Sequence, residues 1–122
     1  MEPRLNIVIQ DRQTEFKPGD RLKGEAEWSL PAPPTSIEIR LFWYTQGKGD
    51  QDLEIIETIS VSPCEQEGQR DFAFDLPRYP YSFSGKLISL LWAVEFVALP
   101  TEAWARADFV MSPTGREVVL YR

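Results

Sequence analysis

The chain has no histidine among its 122 residues and one cysteine, Cys64. Lack of histidine excludes Ser-His-Asp and Cys-His catalysis and any imidazole metal site. A lone cysteine cannot close an intrachain disulfide, which suits a reducing compartment. Cys64 stands between Pro63 and Glu65, where carboxylates oppose thiolate formation, so it reads as a passive loop residue rather than a nucleophile. Basic residues are also scarce, 13 against 19 acidic, for a net charge of −6. A phosphate backbone needs a positive footprint, so nucleic acid is not an expected partner, and the sign disfavours adsorption to anionic lipid. The most apolar stretch, Leu87 to Leu99, is interrupted by Ser89 and Glu95 and falls short of the roughly 20 residues that span a bilayer. The opening MEPRLNIVIQDR flanks with charges an apolar run too short for a signal sequence. The expectation is a cytoplasmic protein with no membrane insertion.

What the chain does hold is ordinary globular material, 43% hydrophobic and 26% charged, enough for a core without metal or disulfide support. One domain over residues 1–122 is expected. Period-two alternation recurs through the chain and a sustained helical period does not. Leu5, Ile7 and Ile9 share one side of a first strand. Leu22, Gly24, Ala26 and Trp28 then oppose Arg21, Lys23, Glu25 and Glu27, as in a half-buried strand.

A third strand, about Ser36 to Gln46, sets Ile37, Ile39, Leu41 and Trp43 against Glu38, Arg40, Phe42 and Tyr44. The turn residues 47–51 and the β-branched return Asp52 to Ser62 make this pair an antiparallel hairpin. Phe72, Phe74 and Leu76 alternate inward next. The long strand Lys86 to Leu99 buries Ile88, Leu90, Trp92, Val94 and Phe96, with Leu87, Leu91 and Val97 on its other face. Thr101 to Ala107 reads as a turn entering a strand. Ala105 to Met111 and Glu117 to Tyr121 complete a meander of about eight strands. The ten prolines lie between or beside strands, as residues without a ladder donor must.

In this order the residues resemble the arrestin-like family, specifically its N-terminal type of sandwich domain. The resemblance rests on Phe16, Pro18, Gly19 and Asp20, then Leu22 and Gly24. It continues through Phe72-Ala73-Phe74-Asp75-Leu76-Pro77, Pro80-Tyr81-Ser82-Phe83-Ser84-Gly85 and the strand Ile88 to Ala98. It implies an all-β, immunoglobulin-like antiparallel β-sandwich of the arrestin type, acting as an interaction or scaffolding module. Arrestin-like proteins usually carry two such domains in tandem. This chain holds one, so residues of the family's interdomain network and its receptor, clathrin and ubiquitin-ligase contacts do not carry over.

No catalytic constellation appears, and the chain is not expected to be an enzyme. Asp50, Asp52 and Glu54 gather at a hairpin end without the spacing of a calcium loop, and Glu65-Gln66-Glu67 likewise reads as solvated. Gly47-Lys48-Gly49 lacks the longer pattern of a phosphate loop. No cofactor or metal is expected. The remaining signal is aromatic: Phe42, Tyr44, Tyr79, Tyr81 and Phe83, near Arg40, Arg78 and Lys86, have the composition of an interaction surface.

The expected function is non-catalytic binding of a protein partner, by one of two modes. A sheet edge could accept a partner strand, main chain to main chain. Alternatively Leu87, Leu91 and Val97 could pack on another sandwich, giving a homodimer. A different class is a carbohydrate- or small-ligand-binding sandwich that stacks sugars on Trp104, Tyr79 or Tyr81.

Overall fold

Alternation of apolar and polar side chains decides which segments of this chain become strands and which face of each turns inward. The computed structural model describes residues 2–47, 51–62, 65–100 and 103–119. Ten strands run in the order β1 Arg4–Ile9, β2 Glu15–Phe16, β3 Arg21–Ser29, β4 Ser36–Gly47, β5 Leu53–Val61, β6 Glu67–Asp75, β7 Phe83–Ser84, β8 Ile88–Leu99, β9 Ala103–Met111 and β10 Val118–Val119. Seven of them have six or more residues and the two-residue β10 falls within the expected Glu117 to Tyr121; the two-residue pieces β2 and β7 account for the excess over the expected eight. The only helical turn among the described residues is a three-residue 3₁₀ piece, Gln10–Arg12. No helix there is long and apolar enough to cross a membrane.

Two layers result. The smaller sheet has the order β1-β3-β6 and is antiparallel, with Ile7 opposite Ala26 and Leu22 opposite Phe74. The larger follows β10-β7-β8-β4-β5, with β9 also on β8 and β2 joined to β9. Among the described residues, parallel pairing is confined to the short contacts β7–β10 and β2–β9. The expected hairpin forms between β4 and β5, with a bulge between Leu41 and Phe42.

The meander, by contrast, is not the observed connection. The chain passes from β3 in the small sheet to β4 and β5 in the large one, then back to β6. Consecutive strands are thus shared between layers so that the two apolar faces can cover one another. Strand β9 begins at Ala103, as expected of the stretch after Pro100; Thr101, Glu102, Leu120 and Tyr121 lie outside the described residues.

Between the layers sits a core that includes Leu22, Ile37, Ile39, Leu41, Phe74, Trp92, Val94 and Phe96, all buried. Each such side chain contributes about 1.5–3 kcal/mol on leaving water. Trp28 meets Phe96 edge-on at 5.9 Å, and Phe16 meets Phe109 at 5.4 Å, geometries that suit the ring quadrupole. Trp43, expected in the core, is only partly buried and packs against its margin. Its neighbour across the strand pair is the exposed Glu54 at the sheet's edge, so the second layer does not close over it.

The Pro18-Gly19 corner forms as its residues dictate. Asp20 N–H donates to the Lys17 carbonyl at 3.0 Å, and Gly19 takes φ +83°, the positive value a type II turn requires after proline. Lys17 N–H donates to Asp20 Oδ2 at 2.8 Å, which locks the corner. Leu76 N–H then donates to Asp20 O at 2.8 Å, which ties the corner to the end of β6.

Candidate interaction surface

The outward face of the large sheet is built from alternate residues of β5, β4, β8 and β9, since Ile37, Ile39 and Leu41 point to the core. Cross-strand register arranges it in rows. One runs Ser60, Glu38, Val97, Trp104; the next Thr58, Arg40, Glu95, Arg106; then Ile55, Phe42, Ala93, Asp108; then Leu53, Tyr44, Leu91. The row of Thr58, Arg40, Glu95 and Arg106 is polar and charged, the row of Leu53, Tyr44 and Leu91 beyond Phe42 is apolar, and Trp104 stands at the opposite end.

Both arginines of this face are paired within the chain. Arg40 Nη2 lies 2.6 Å from Glu38 Oε1, and Arg106 Nε lies 3.3 Å from Asp108 Oδ1. The Arg106 guanidinium also stands 5.2 Å over the Tyr44 ring, a cation–π arrangement. Burial raises the Tyr44 phenol pKa above its ordinary value, and Asp108 adds to the shift while Arg106 opposes it. Tyr44 in turn packs on Phe42 at 5.8 Å.

This packing sorts the residues picked out from the sequence. Phe42, Tyr44, Leu91 and Val97 do share the outer face. Yet Phe42 is only 4% exposed and Val97 6%, because neighbouring strands crowd them. They support the surface rather than present it. Tyr44 and Leu91 are half-buried. Leu87 is exposed in the bend before β8, outside the strand proper.

Tyr79, Tyr81 and Phe83 form a separate group on the approach to β8. Phe83 packs against the core, while Tyr79 and Tyr81 are exposed. The approach is held by Trp92 Nε1, which donates to Pro80 O at 2.9 Å. Ser82 N–H donates to Met111 O at 2.8 Å and Ser82 Oγ accepts from Met111 N–H at 3.0 Å. Cys64 and the 48–50 part of the hairpin turn, with Lys48, Gly49 and Asp50, lie outside the described residues.

Sequence reasoning gave no role to Leu53, Ile55 and Ile56, which are exposed on β5, nor to Arg106. The adjacent pair Ile55-Ile56 in an otherwise alternating strand was the signal of a bulge. Among the described residues β5 pairs only with β4, so its far edge is open over residues 53–60. Its core-side residues Glu54 and Glu57, opposite Trp43 and Leu41, are exposed as well. In its first half β5 therefore projects past the small sheet.

No family model matches this sequence, and no curated protein matches it. Solved structures do. The sporulation control protein Spo0M from Bacillus subtilis superposes with a TM-score of 0.63 at 15% identity, over 90% of this chain and 49% of that one. A β-glucosidase from Listeria innocua gives 0.50 at 15% identity, over 96% of this chain and 16% of the enzyme. The chain therefore spans about half of Spo0M and a small part of the glucosidase. These likenesses concern the fold: an all-β, immunoglobulin-like sandwich of the arrestin type.

Proposed function

We propose that this chain is a non-catalytic protein-interaction module that works in the cytoplasm and takes its partner on the exposed side of the large sheet. One observation carries the reading. Strand β5, paired on one side only among the described residues, exposes Leu53, Ile55 and Ile56, and the same sheet ends on its other side at Trp104, itself 61% exposed. β-proteins usually protect such edges with short strands, prolines, charges or covering elements, and of these β5 shows only its carboxylates, Asp52, Glu54 and Glu57, among the described residues. Among the described residues the edge stands open over residues 53–60, and large apolar side chains at a rim are what a partner's surface desolvates. Spo0M, similar in fold, is a sporulation control protein, and a regulatory role of that kind suits a module that binds rather than reacts. The glucosidase likeness covers too little of that enzyme to bring its activity here.

The experiment is capture of partners by the immobilised chain from the cells that make it. Ile55→Asp and Trp104→Ala should each reduce capture at least about tenfold, while Lys23→Ala on the small sheet leaves it unchanged. Equal capture by all variants contradicts the assignment. Exposed Trp104 also favours the second reading, in which a sugar stacks on the indole. A glycan that quenches tryptophan fluorescence, and fails to do so with Trp104→Ala, would select it.

A further inference from the structure

We infer that the open edge of β5 docks an extended segment of another protein that carries basic residues, added to the large sheet as a further strand. The inference rests on the reading of this chain as a protein-interaction module and names the chemistry of its partner.

The argument begins with charge. From Gln51 to Ser62 the sequence holds Asp52, Glu54 and Glu57 and no lysine or arginine. Among the described residues neither Glu54 nor Glu57 has an ion-pair partner. Arg40 on β4, the one cation in register with this strand, is held by Glu38 at 2.6 Å. The edge is thus acidic and uncompensated, and its carboxylates are available to an incoming cation.

Geometry then sets the pattern of the guest. The bulge places Glu54 and Glu57 on the core-side face, opposite Trp43 and Leu41 of β4. Leu53 and Ile55 fall on the outer face, opposite Tyr44 and Phe42. A strand laid along this edge shows its side chains alternately to the two faces. The complementary guest therefore bears lysine or arginine on one face and apolar, β-branched residues on the other.

A second copy of this chain does not meet that requirement. Pairing β5 with β5 would bring two sets of three carboxylates together with no cation on either strand. Like charges across a strand pair are destabilising. The same acids that admit a basic guest thus discourage edge-to-edge self-association.

The test uses the whole chain and two synthetic peptides about as long as β5, one alternating lysine and valine, the other glutamate and valine. Residue-resolved amide exchange should slow along β5 with the lysine peptide and not with the glutamate peptide. Glu54→Lys with Glu57→Lys should weaken binding about tenfold or more. Salt raised from about 50 to about 500 mM should weaken it as well. Equal binding of both peptides, or no binding of either, overturns the inference. Protection around Trp104 instead of β5 overturns it too, yet leaves the interaction-module reading standing. If a glycan alone engages Trp104 and neither peptide binds, both readings fall.

Discussion

Trp28 on β3 and Gly68 on β6 stand directly opposite each other, and the indole occupies the space a side chain at 68 would need. A Cβ built on Gly68 lies 2.7 Å from Trp28 Cη2 and closer still to Cζ2. The indole is also tethered, since its Nε1 donates to Glu65 O at 2.9 Å. Gly68→Ala should therefore cost about 1–3 kcal/mol by overpacking. A urea titration followed by tryptophan fluorescence would show a lower midpoint at unchanged slope; an unmoved midpoint means the ring shifts freely.

The carboxylates of the small sheet make a pH-dependent prediction. Glu25 faces Asp71 across the strand pair, and Glu27 follows on the same outer face. The Glu27 pKa is raised above the ordinary carboxylate value, first by its hydrogen bond with Glu25, then by desolvation, then by the Glu25 charge. A raised folded pKa means the folded state holds the proton more tightly than the unfolded one. Stability from this group is present below the unfolded value and is lost as pH rises through the folded one. Glu27→Gln should therefore raise the urea midpoint at about pH 7 and leave it nearly unchanged at about pH 3. The opposite dependence would show that the pair is stabilising when ionised.

Ser82 links the approach segment to β9. Its buried hydroxyl accepts the Met111 N–H at 3.0 Å. Ser82→Ala leaves that amide without its acceptor, at a cost of about 1–3 kcal/mol. Thermal unfolding should register the loss, whereas a change below about 0.5 kcal/mol would mean that the amide finds another acceptor.

Phe42 and Trp104 both lie on the outer face, yet only Trp104 is open to solvent. Phe42→Ala should cost about 3 kcal/mol, as truncation of a buried ring does. Trp104→Ala should stay within about 0.5 kcal/mol. Chemical denaturation of both variants settles which residues hold the sheet together and which remain for a partner. Comparable losses would remove Trp104 from the interaction surface.

Much of this architecture is readable in the residues themselves. Strands β3, β4 and β8 announce their buried faces because alternation is a local property, and Pro18-Gly19 announces its corner because its backbone angles are local too. Connectivity is different. Nothing near β5 or β6 reveals that the chain changes layers between them, since that choice depends on which distant faces need cover. Burial of Phe42 and Val97 escapes for the same reason: their shields, Tyr44 apart, come from adjoining strands. β5 is the hardest to read, because Ile55-Ile56 breaks the alternation and its carboxylates Glu54 and Glu57 sit opposite the core-side Trp43 and Leu41.

The central claim is that partners meet the large sheet and not the small one. A photoreactive phenylalanine analogue placed singly at Leu53, Ile55 or Trp104, and at Asn6, Lys23 or Asp71 on the small sheet's outer face, tests it directly in living cells. Adducts to a common protein from the first three positions and none from the others are the predicted result. Adducts from the small sheet alone, or from no position at all, would contradict the account.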